Sequence, residues 1–193
     1  MTARVVLGVS GASGAALALD CARALRAAGA TVELVLSAMA ERTLTLEIGP
    51  GARGELVGLV DRLHPVIDLG AAIASGSFPV QGMIVAPCSM RSLAAIAHGL
   101  DDNLLTRAAS VQLKERRPLV LLAREAPLTL AHLRNMTAVT EMGAVVMPPV
   151  PAFYLRPETT AQITAQVAAR AVDLLRIATP RARAWTPEEG PLR

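Results

Sequence analysis

The basic side chains of this sequence stand where they could bind an anionic ligand. Arg107 and Lys114 are seven residues apart in a helical pattern, so they project from nearly the same side of one helix as a compact cationic pair. Arg170 falls on a helical stripe of apolar residues that should face the core or a partner, so its guanidinium needs an anion. We expect Arg116 and Arg117 to lie at a solvated helix end, where their charges only complement the helix dipole. The first three cations predict a site for a phosphorylated ligand.

A turn rich in glycine and serine, SGASGA (10 to 15), separates the first predicted strand from the first helix. Gly11 and Gly14 let the backbone approach a ligand. Ser13 offers a hydroxyl at the helix amino terminus, where N–H groups and the dipole favour an anion. A tight turn between a strand and a helix also needs glycine and serine, so turn geometry is an alternative explanation. The spacing is neither GxGxxG nor that of a P-loop.

Two more junctions between a strand and a helix carry polar side chains. In APCSMRSL (86 to 93), Ser89 caps the next helix and presents its side chain to the crevice, although a cap alone would also explain it. Cys88 invites interpretation as a nucleophile, but no histidine is paired with it in the sequence.

Arg124 and Glu125 follow an apolar strand, where an unpaired charge is costly to desolvate. They indicate either a site or a salt bridge between neighbours.

The fourth junction, PPVPAFYLRP (148 to 157), is stiffened by proline and projects Phe153 and Tyr154, two of the four aromatic residues in the chain. A rigid loop with a rare tyrosine predicts a lid or wall for a ligand. In doubly wound sheets, ligands bind outside the carboxyl ends of the strands, where all four junctions should lie.

Apolar runs rich in β-branched residues alternate with helical patterns, which predicts an α/β fold: a three-layer, doubly wound parallel sheet in a single domain. We predict strands at 4–10, 31–37, 82–87, 118–123 and 143–148. We predict helices at 14–28, 38–48, 89–98, 102–116, 127–142 and 157–176. Pro127 and Pro157 suit first turns, while Gly29 and Gly143 suit helix ends. Between 49 and 81 the signal is weak, and we expect a short helix or strand followed by a loop.

Length and composition limit the class of protein. The 193 residues, 52% of them apolar, suffice for one well-buried core. A net charge of +3 permits a nucleic-acid role, but aromatic residues are only 2%, so we expect no binding of nucleic acid.

We find no apolar run of membrane-spanning length and no leader, and expect a cytoplasmic protein without a membrane role. Cys21 and Cys88 suit reduced thiols. Because His64, His98 and His132 lack ligand spacing, we expect no metal site.

Besides SGASGA, APCSM and PPVPAFYLRP, the chain contains ASGS (74 to 77), DNLLTRAASVQLKERRPLVLLAREAPL and HLRNM. Together these motifs resemble those of the flavin prenyltransferases of the UbiX/Pad type. The resemblance runs from about residue 4 to Trp185. It implies a Rossmann-like, flavodoxin-like fold shared with flavin-containing cysteine decarboxylases. It also implies a flavoprotein domain at 1–178, a carboxyl-terminal packing arm at 179–193, and a homo-oligomer, a dodecamer, with sites between subunits.

The resemblance further implies roles for individual residues. The positions that match FMN contacts are Gly11, Ala12, Ser13, Ser37, Ser89, Met90, Arg91, Ser92 and Arg124. The positions that match prenyl phosphate contacts are Arg107, Lys114, Tyr154 and Arg170. The expected catalytic residues are Glu125, Ser13, Glu47 and Lys114, with Glu125 and Ser13 as proton carriers. Trp185 matches a tryptophan of the arm, whereas an aromatic residue that some relatives place before the ASGS loop is absent here.

The implied reaction transfers a dimethylallyl group from dimethylallyl phosphate to N5 and C6 of reduced FMN, without a metal. The prenylated FMN would then serve a UbiD-type decarboxylase. The cationic residues would stabilise the departing phosphate, and Glu125 or that phosphate would take the C6 proton. One alternative is a flavin-dependent decarboxylase of cysteine peptides, although such relatives use a histidine and a PASANT-like loop where this chain has PCSMRS. Another is an FMN-binding accessory subunit of a (hydroxy)aromatic-acid decarboxylase, or that decarboxylase itself.

Overall fold

A six-stranded parallel sheet forms the centre of the molecule, in a computed structural model that describes residues 2–186. The strands are β1 (Arg4–Val9), β2 (Thr31–Leu36), β3 (Arg62–His64), β4 (Gly82–Cys88), β5 (Leu119–Ala123) and β6 (Val145–Val146). Their spatial order is β3-β2-β1-β4-β5-β6, and every neighbouring pair is parallel. The predicted doubly wound α/β fold is confirmed.

Seven α-helices flank this sheet within residues 2–186. They are α1 (Ala15–Ala27), α2 (Ala38–Glu47), α3 (Ala52–Gly58), α4 (Met90–Ala97), α5 (Leu104–Lys114), α6 (Leu130–Glu141) and α7 (Thr160–Leu174). Short 3-10 turns lie at Ala72–Ala74 and Phe153–Leu155. Gly29 and Gly143 follow α1 and α6 with φ of 74° and 101°, the left-handed conformation that commonly ends a helix. Both predicted helix ends are confirmed.

Threonine, rather than proline, starts the last two helices. Thr129 and Thr159 each accept a hydrogen bond of 3.2 Å from the N–H three residues further on, before α6 and α7. Pro127 and Pro157 lie two residues before these caps, so the prediction that they occupy first turns is wrong. A hydroxyl cap satisfies a free backbone donor, which proline cannot do, and it therefore sets the boundary.

The weakly patterned stretch between 49 and 81 holds more regular structure than predicted. It contains both a helix, α3, and a strand, β3, before the 3-10 turn and loop. The strand has only three residues, at the edge of the sheet beside β2. Its His64 is buried against Glu33 with an Nε2 to Oε2 distance of 2.7 Å. Because a buried polar pair, His64 with Glu33, replaces apolar side chains here, the sequence does not distinguish this strand from a loop.

Two apolar clusters, one on each face of the sheet, form the core. One packs α1 and α7 against Leu7 of β1 and Leu34 of β2, and the other packs α4 and α5 against Val6 and Val35. Successive residues of each strand therefore serve opposite layers. The winding direction reverses between β1 and β4, which hydrogen-bond as neighbours. In doubly wound folds such a reversal opens a crevice at the carboxyl ends of the strands.

The chain that follows α7 returns along this helix. Oδ1 and Oδ2 of Asp173 accept hydrogen bonds from the N–H of Arg181 at 2.8 Å and of the next residue at 3.0 Å. The side-chain amide of Gln166 pairs with the C=O and N–H of Arg183 at 2.9 and 3.1 Å. The backbone of the arm is thus held on α7. The rest of the predicted arm, 187–193, lies outside the described residues.

Candidate active site

A cavity of about 510 Å³ opens at the carboxyl ends of β1, β2 and β4. This volume lies within the range of small-molecule sites, about 300–1,000 Å³. Its walls are Ser10, Gly11, Ser37, Ala38, Met39, Val66, Ser89, Arg91, Ser92, Asp102, Asn103 and Leu105. Among the predicted FMN contacts, those in the wall are Gly11, Ser37, Ser89, Arg91 and Ser92. Those outside the described wall are Ala12, Ser13, Met90 and Arg124.

Ser10 ties together the two turns that meet at the reversal, and its role was not predicted. Its buried hydroxyl donates to the carbonyl oxygen of Pro87 at 2.8 Å and accepts from the N–H of Ser89 at 2.7 Å. Its own N–H also donates to the Pro87 oxygen, at 3.2 Å. The sequence does contain a signal for this role, a serine at the end of an apolar strand. A hydroxyl buried there needs hydrogen-bond partners.

Two glycines of the SGASGA turn are required for reasons other than the approach of a ligand. A Cβ at Gly11 would overlap the Cβ of Met39, because the first turn of α2 packs directly on this backbone. Gly14 precedes α1 with φ of 111°, in the left-handed region that favours glycine. Turn geometry, the alternative left open by the sequence, therefore explains Gly14, whereas the close packing of α2 explains Gly11. Gly11 nonetheless lines the cavity.

The polar walls of the cavity are the side chains that start three helices. The side-chain oxygens of Ser37, Ser89 and Asn103 accept the N–H three residues further on, at 3.1, 3.3 and 3.1 Å. The predicted cap at Ser89 is confirmed. At the rim, Arg91 and Asp102 form an exposed ion pair of 2.5 Å. Because α2, α4 and α5 all begin here, their N–H groups and dipoles favour an anionic ligand.

Glu47 occupies the amino terminus of α1, where the sequence predicted an anionic ligand. Its Oε2 accepts hydrogen bonds from the N–H of Gly14 at 2.9 Å and of Ala15 at 2.8 Å, and the Ser13 hydroxyl also bonds to the carboxylate. Partial burial alone would raise the pKa of Glu47, but these hydrogen bonds and the charge of Arg124 lower it below its ordinary value. Glu47 is therefore ionised at neutral pH and can accept a proton.

Arg124 and Glu125 follow β5 at the surface of the chain, so neither carries the desolvation cost that the sequence suggested. Arg124 acts on the nearby carboxylate of Glu47. Oε1 of Glu125 accepts the N–H of Ala126 at 3.1 Å. In the part of the chain that the structure describes, no ion pair joins Arg124 to Glu125, so the alternative of a salt bridge between neighbours is wrong.

Arg107 and Lys114 both lie against the loop that carries the ASGS motif. Nε of Arg107 donates to the carbonyl oxygen of Ala74 at 3.2 Å, and Nη1 pairs with Asp101 at 3.1 Å. Lys114 pairs with the adjacent glutamate, and its ammonium lies beside Gly76. The expected common side of the helix is observed, but each cation already has a carboxylate. Because α5 leads into β5, Lys114 lies towards the amino ends of the strands, away from the cavity.

Tyr154, Arg170 and Trp185 lie on the outer surface of this chain. Tyr154 and Phe153 are 43% and 74% exposed on a 3-10 turn, and Trp185 is 60% exposed. Of the two alternatives for the stripe of Arg170, the core or a partner, the core of this chain is wrong, because the buried face of α7 runs through Ala171 and leaves Arg170 exposed. Within residues 2–186 its guanidinium has no hydrogen bond or ion pair. A single chain therefore does not bring these residues to the cavity.

Other chemistries have little support in the residues described. Burial raises the pKa of Cys88 to about 12 and also raises that of Cys21, so neither thiol is a ready nucleophile. Residues 2–186 contain no group of three or more His, Cys, Asp or Glu side chains that could hold a metal ion. No helix in this part of the chain is both long and apolar enough to cross a membrane.

In doubly wound sheets, a crevice lined by the amino termini of several helices is a common binding site for nucleotide-like ligands. In agreement, a family model described as Flavoprotein matches residues 1–170, which makes the chain a flavoprotein by class. The chain is 52% identical over 185 residues to a flavin prenyltransferase UbiX of Neisseria meningitidis serogroup B. That match covers 96% of this chain and 97% of the relative.

Two solved structures have the same fold over nearly the whole chain. AnUbiX (PadA1), solved in complex with FMN and dimethylallyl pyrophosphate, has a TM-score of 0.91 and 42% identity, covering 96% of this chain and 98% of that one. A dodecameric FMN-dependent UbiX-like decarboxylase from Escherichia coli O157:H7 has a TM-score of 0.89 and 44% identity, covering 95% and 99%. The cysteine decarboxylase TvaF, at 19% identity and a TM-score of 0.65, shares the fold alone. The chain belongs to the flavin prenyltransferase family of the UbiX type, as its motifs predicted.

Proposed function

We propose that this chain transfers a dimethylallyl group from dimethylallyl monophosphate to N5 and C6 of reduced FMN. The observation that carries the proposal is the cavity at the crevice, walled by three helix starts, in a member of this family. Serine hydroxyls, helix N–H groups and the Arg91 guanidinium suit the hydroxyls and phosphate of FMN. The AnUbiX complex with FMN and a dimethylallyl ester supports this pair of ligands. The monophosphate, rather than the pyrophosphate, is the donor implied by the motifs.

The residues of the chain divide the tasks of phosphate binding and proton transfer. Reduced FMN supplies an electron-rich ring, and its N5 bonds to the allylic carbon of the donor as the carbon–oxygen bond to phosphate breaks. The residues proposed to bind the departing phosphate and stabilise its charge are Arg107, Lys114, Tyr154 and Arg170. On ring closure the double bond of the prenyl group takes up a proton from the released phosphate at one carbon and bonds to C6 through the other, and Glu125 accepts the proton that C6 loses. Ser13 and the ionised Glu47, already hydrogen-bonded to each other, provide a second proton path.

A neighbouring subunit completes this site in our proposal. In one chain the cavity and the phosphate-binding residues are apart, since Tyr154 and Arg170 lie on the outer surface. A dodecamer, as described for the E. coli O157:H7 relative, would bring these residues of one subunit to the cavity of another. The prenylated FMN would pass to a UbiD-type decarboxylase. The buried, unpaired thiols of Cys21 and Cys88 suit a reducing compartment such as the cytoplasm.

The proposal is tested by the formation of prenylated flavin. The purified protein is mixed anaerobically with reduced FMN, with and without dimethylallyl monophosphate, and the flavin is followed by absorbance and by mass. We expect a flavin heavier by one prenyl unit, only with the donor, at a rate that EDTA does not change. Failure to retain FMN in equilibrium dialysis, or a flavin of unchanged mass, contradicts the proposal. Loss of turnover with EDTA, restored by magnesium, contradicts the metal-independent mechanism.

A second candidate function is the decarboxylation of a (hydroxy)aromatic acid, by this chain or by a partner that it supplies with FMN. The observation in its favour is that the E. coli O157:H7 relative is described as a UbiX-like decarboxylase. A decarboxylase would release CO₂ with FMN and no prenyl donor, and an FMN carrier would leave the donor intact. The presence of Lys114, Tyr154 and Arg170 favours the transferase, because neither alternative needs a phosphate-binding surface.

A further inference from the structure

The loop segment Ala74–Phe78, here called the ASGSF segment, forms a common floor for two of the proposed phosphate-binding cations. Nε of Arg107 donates to the carbonyl oxygen of Ala74 at 3.2 Å. The ammonium of Lys114 lies so close to Gly76 that a Cβ there would overlap it. Both cations therefore lie against this segment, in addition to the carboxylate that each of them pairs with.

Arg117 holds the ASGSF segment in place from the end of α5. Its Nη2 donates to the carbonyl oxygen of Gly76 at 2.6 Å, and its Nη1 donates to that of Phe78 at 3.1 Å. The two nitrogens of one planar guanidinium thus span two carbonyl groups of the turn. The expectation that Arg117 belongs to a solvated helix end is wrong. Arg116, by contrast, is exposed and has a φ of 56°, and this left-handed residue lies between the helix end and Arg117.

The same segment is held from the other side. The guanidinium of Arg4 lies over the ring of Phe78, with its carbon 4.7 Å from the ring centre. The hydroxyls of Ser75 and Ser77 hydrogen-bond across the turn at 2.9 Å. With the backbone of the segment bound at both ends, a shift of Arg117 is transmitted to the groups that rest on it.

We propose that Arg117 is a positioning residue for the prenyl donor: through the ASGSF segment it places Arg107 and Lys114 without touching the donor itself. This inference rests on the proposed function. A lysine at position 117 would keep the charge but could not span two carbonyl oxygens, because its ammonium is a single point. The segment would then lose one anchor, and the two cations that lie against it would shift from the positions in which they bind the donor.

The test compares Arg117→Lys with Arg116→Lys, its exposed neighbour, as the matched control. We expect Arg117→Lys to raise the KM for dimethylallyl monophosphate about tenfold, the scale of one lost hydrogen bond to a charged group. Its kcat at saturating donor, its FMN dissociation constant and its melting temperature should stay those of wild type. Arg116→Lys should match wild type in all four. Gly76→Ala, which displaces Lys114 together with its partner Glu115 but leaves Arg117 intact, should also raise the KM for the donor.

A double-mutant cycle with Arg107→Ala shows whether Arg117 acts through that cation. If it does, Arg117→Lys has a smaller effect on the KM in the Arg107→Ala background than in wild type. A wild-type KM in Arg117→Lys, equal effects in both backgrounds, or a loss of FMN binding together with stability would each overturn the inference. If wild type makes no prenylated flavin, or Arg107→Ala leaves the KM unchanged, the proposed function itself fails. An increase in KM for Arg107→Ala without one for Arg117→Lys overturns the inference alone.

Discussion

The two halves of the proposed site are built in different ways. The half that forms the cavity consists of helix starts and hydroxyls that the chain fixes by itself, with Ser10 joining two turns and Ser37 and Ser89 capping helices. The half that would bind phosphate consists of Tyr154 on a 3-10 turn and of long cationic side chains on α5 and α7. Of these, Arg107 rests on a loop carbonyl, while Arg170 is exposed.

Under the proposed function, this difference leads us to expect that one chain supplies most of the flavin site, whereas donor binding depends on the assembly. A cavity walled by rigid backbone needs no partner. Exposed cations bind one phosphate well only when another subunit brings them together. Next to Glu125, the side chains of Leu128, Leu130 and Leu133 are 40%, 61% and 48% exposed. An exposed apolar group of this kind is typical of a surface covered by another protein. It supports the proposed assembly around Glu125.

The largest effect is expected at Glu125, where we propose that the two halves meet. Glu125→Gln keeps the shape of the side chain but cannot accept a proton. We expect FMN to bind as in wild type and prenylated flavin to form about 100-fold more slowly. Rapid anaerobic mixing of the donor with protein loaded with reduced FMN measures this rate, with Glu141→Gln on the exposed side of α6 as the control. A wild-type rate would show that the released phosphate or the Ser13–Glu47 pair, rather than Glu125, takes the proton.

The next effect separates donor binding from flavin binding. Arg170→Gln removes a cation with no partner among the described residues, so it should not disturb the fold. We expect the KM for dimethylallyl monophosphate to rise about 10- to 100-fold, the value of a charge-assisted hydrogen bond of about 1.5–3 kcal/mol. The FMN dissociation constant should not change. Arg176→Gln, an exposed arginine just beyond α7, should leave both constants unchanged; an equal rise there would point to net charge alone.

Mixed oligomers of these two variants test whether the halves come from different subunits. We assign Glu125 to the cavity half and Arg170 to the phosphate half. A site that takes its cavity from an Arg170→Gln subunit and its phosphate half from a Glu125→Gln subunit then has both residues intact. Random mixing makes about one quarter of two-subunit sites of this kind. Co-expressed variants should therefore regain about a quarter of wild-type turnover at low donor concentration. Activity no higher than the mean of the separate variants would place both residues of each site in one chain.

The sequence predicted the sheet best where strands are buried on both faces. β1, β2, β4 and β5 appear as continuous apolar runs because helices cover each side of them. The three residues of β3 lacked that pattern, since His64 is buried by pairing with Glu33 rather than by being apolar. β6, with two paired residues, is shorter than its apolar run of 143–148 because the sheet ends beside it.

The site was predictable where one turn contains the whole signal, and unpredictable where the partners are distant in sequence. Ser37 and Ser89 stand directly before helices, so their types and positions were sufficient. Ser10, in contrast, bonds to a carbonyl 77 residues away, and Arg117 to one 41 residues away. No local pattern distinguishes Arg117 from the exposed Arg116. Only the folded loop shows that one arginine is anchored and the other is not.

The smallest expected effect concerns Glu47, which joins the cavity half to the amino terminus of α1. The pKa of its carboxyl group is lowered in the folded protein. Its stabilising effect is therefore fully present above the unfolded pKa, about 4.3, and is lost as the pH falls through the lower folded value. Glu47→Gln should reduce the free energy of unfolding at pH 7 by about 0.3–1 kcal/mol, the usual value for an anion at a helix amino terminus.

Urea unfolding of wild type and Glu47→Gln at a fixed protein concentration, from pH 7 to about 3, measures this difference. The gap between the two should close as the pH falls. Glu141→Gln is the contrasting control, because its carboxylate is the last residue of α6 and faces the negative end of that helix dipole. That variant should be no less stable than wild type at pH 7. A gap for Glu47→Gln that is independent of pH would mean that hydrogen bonding by the side chain, rather than its charge, fixes the SGASGA turn.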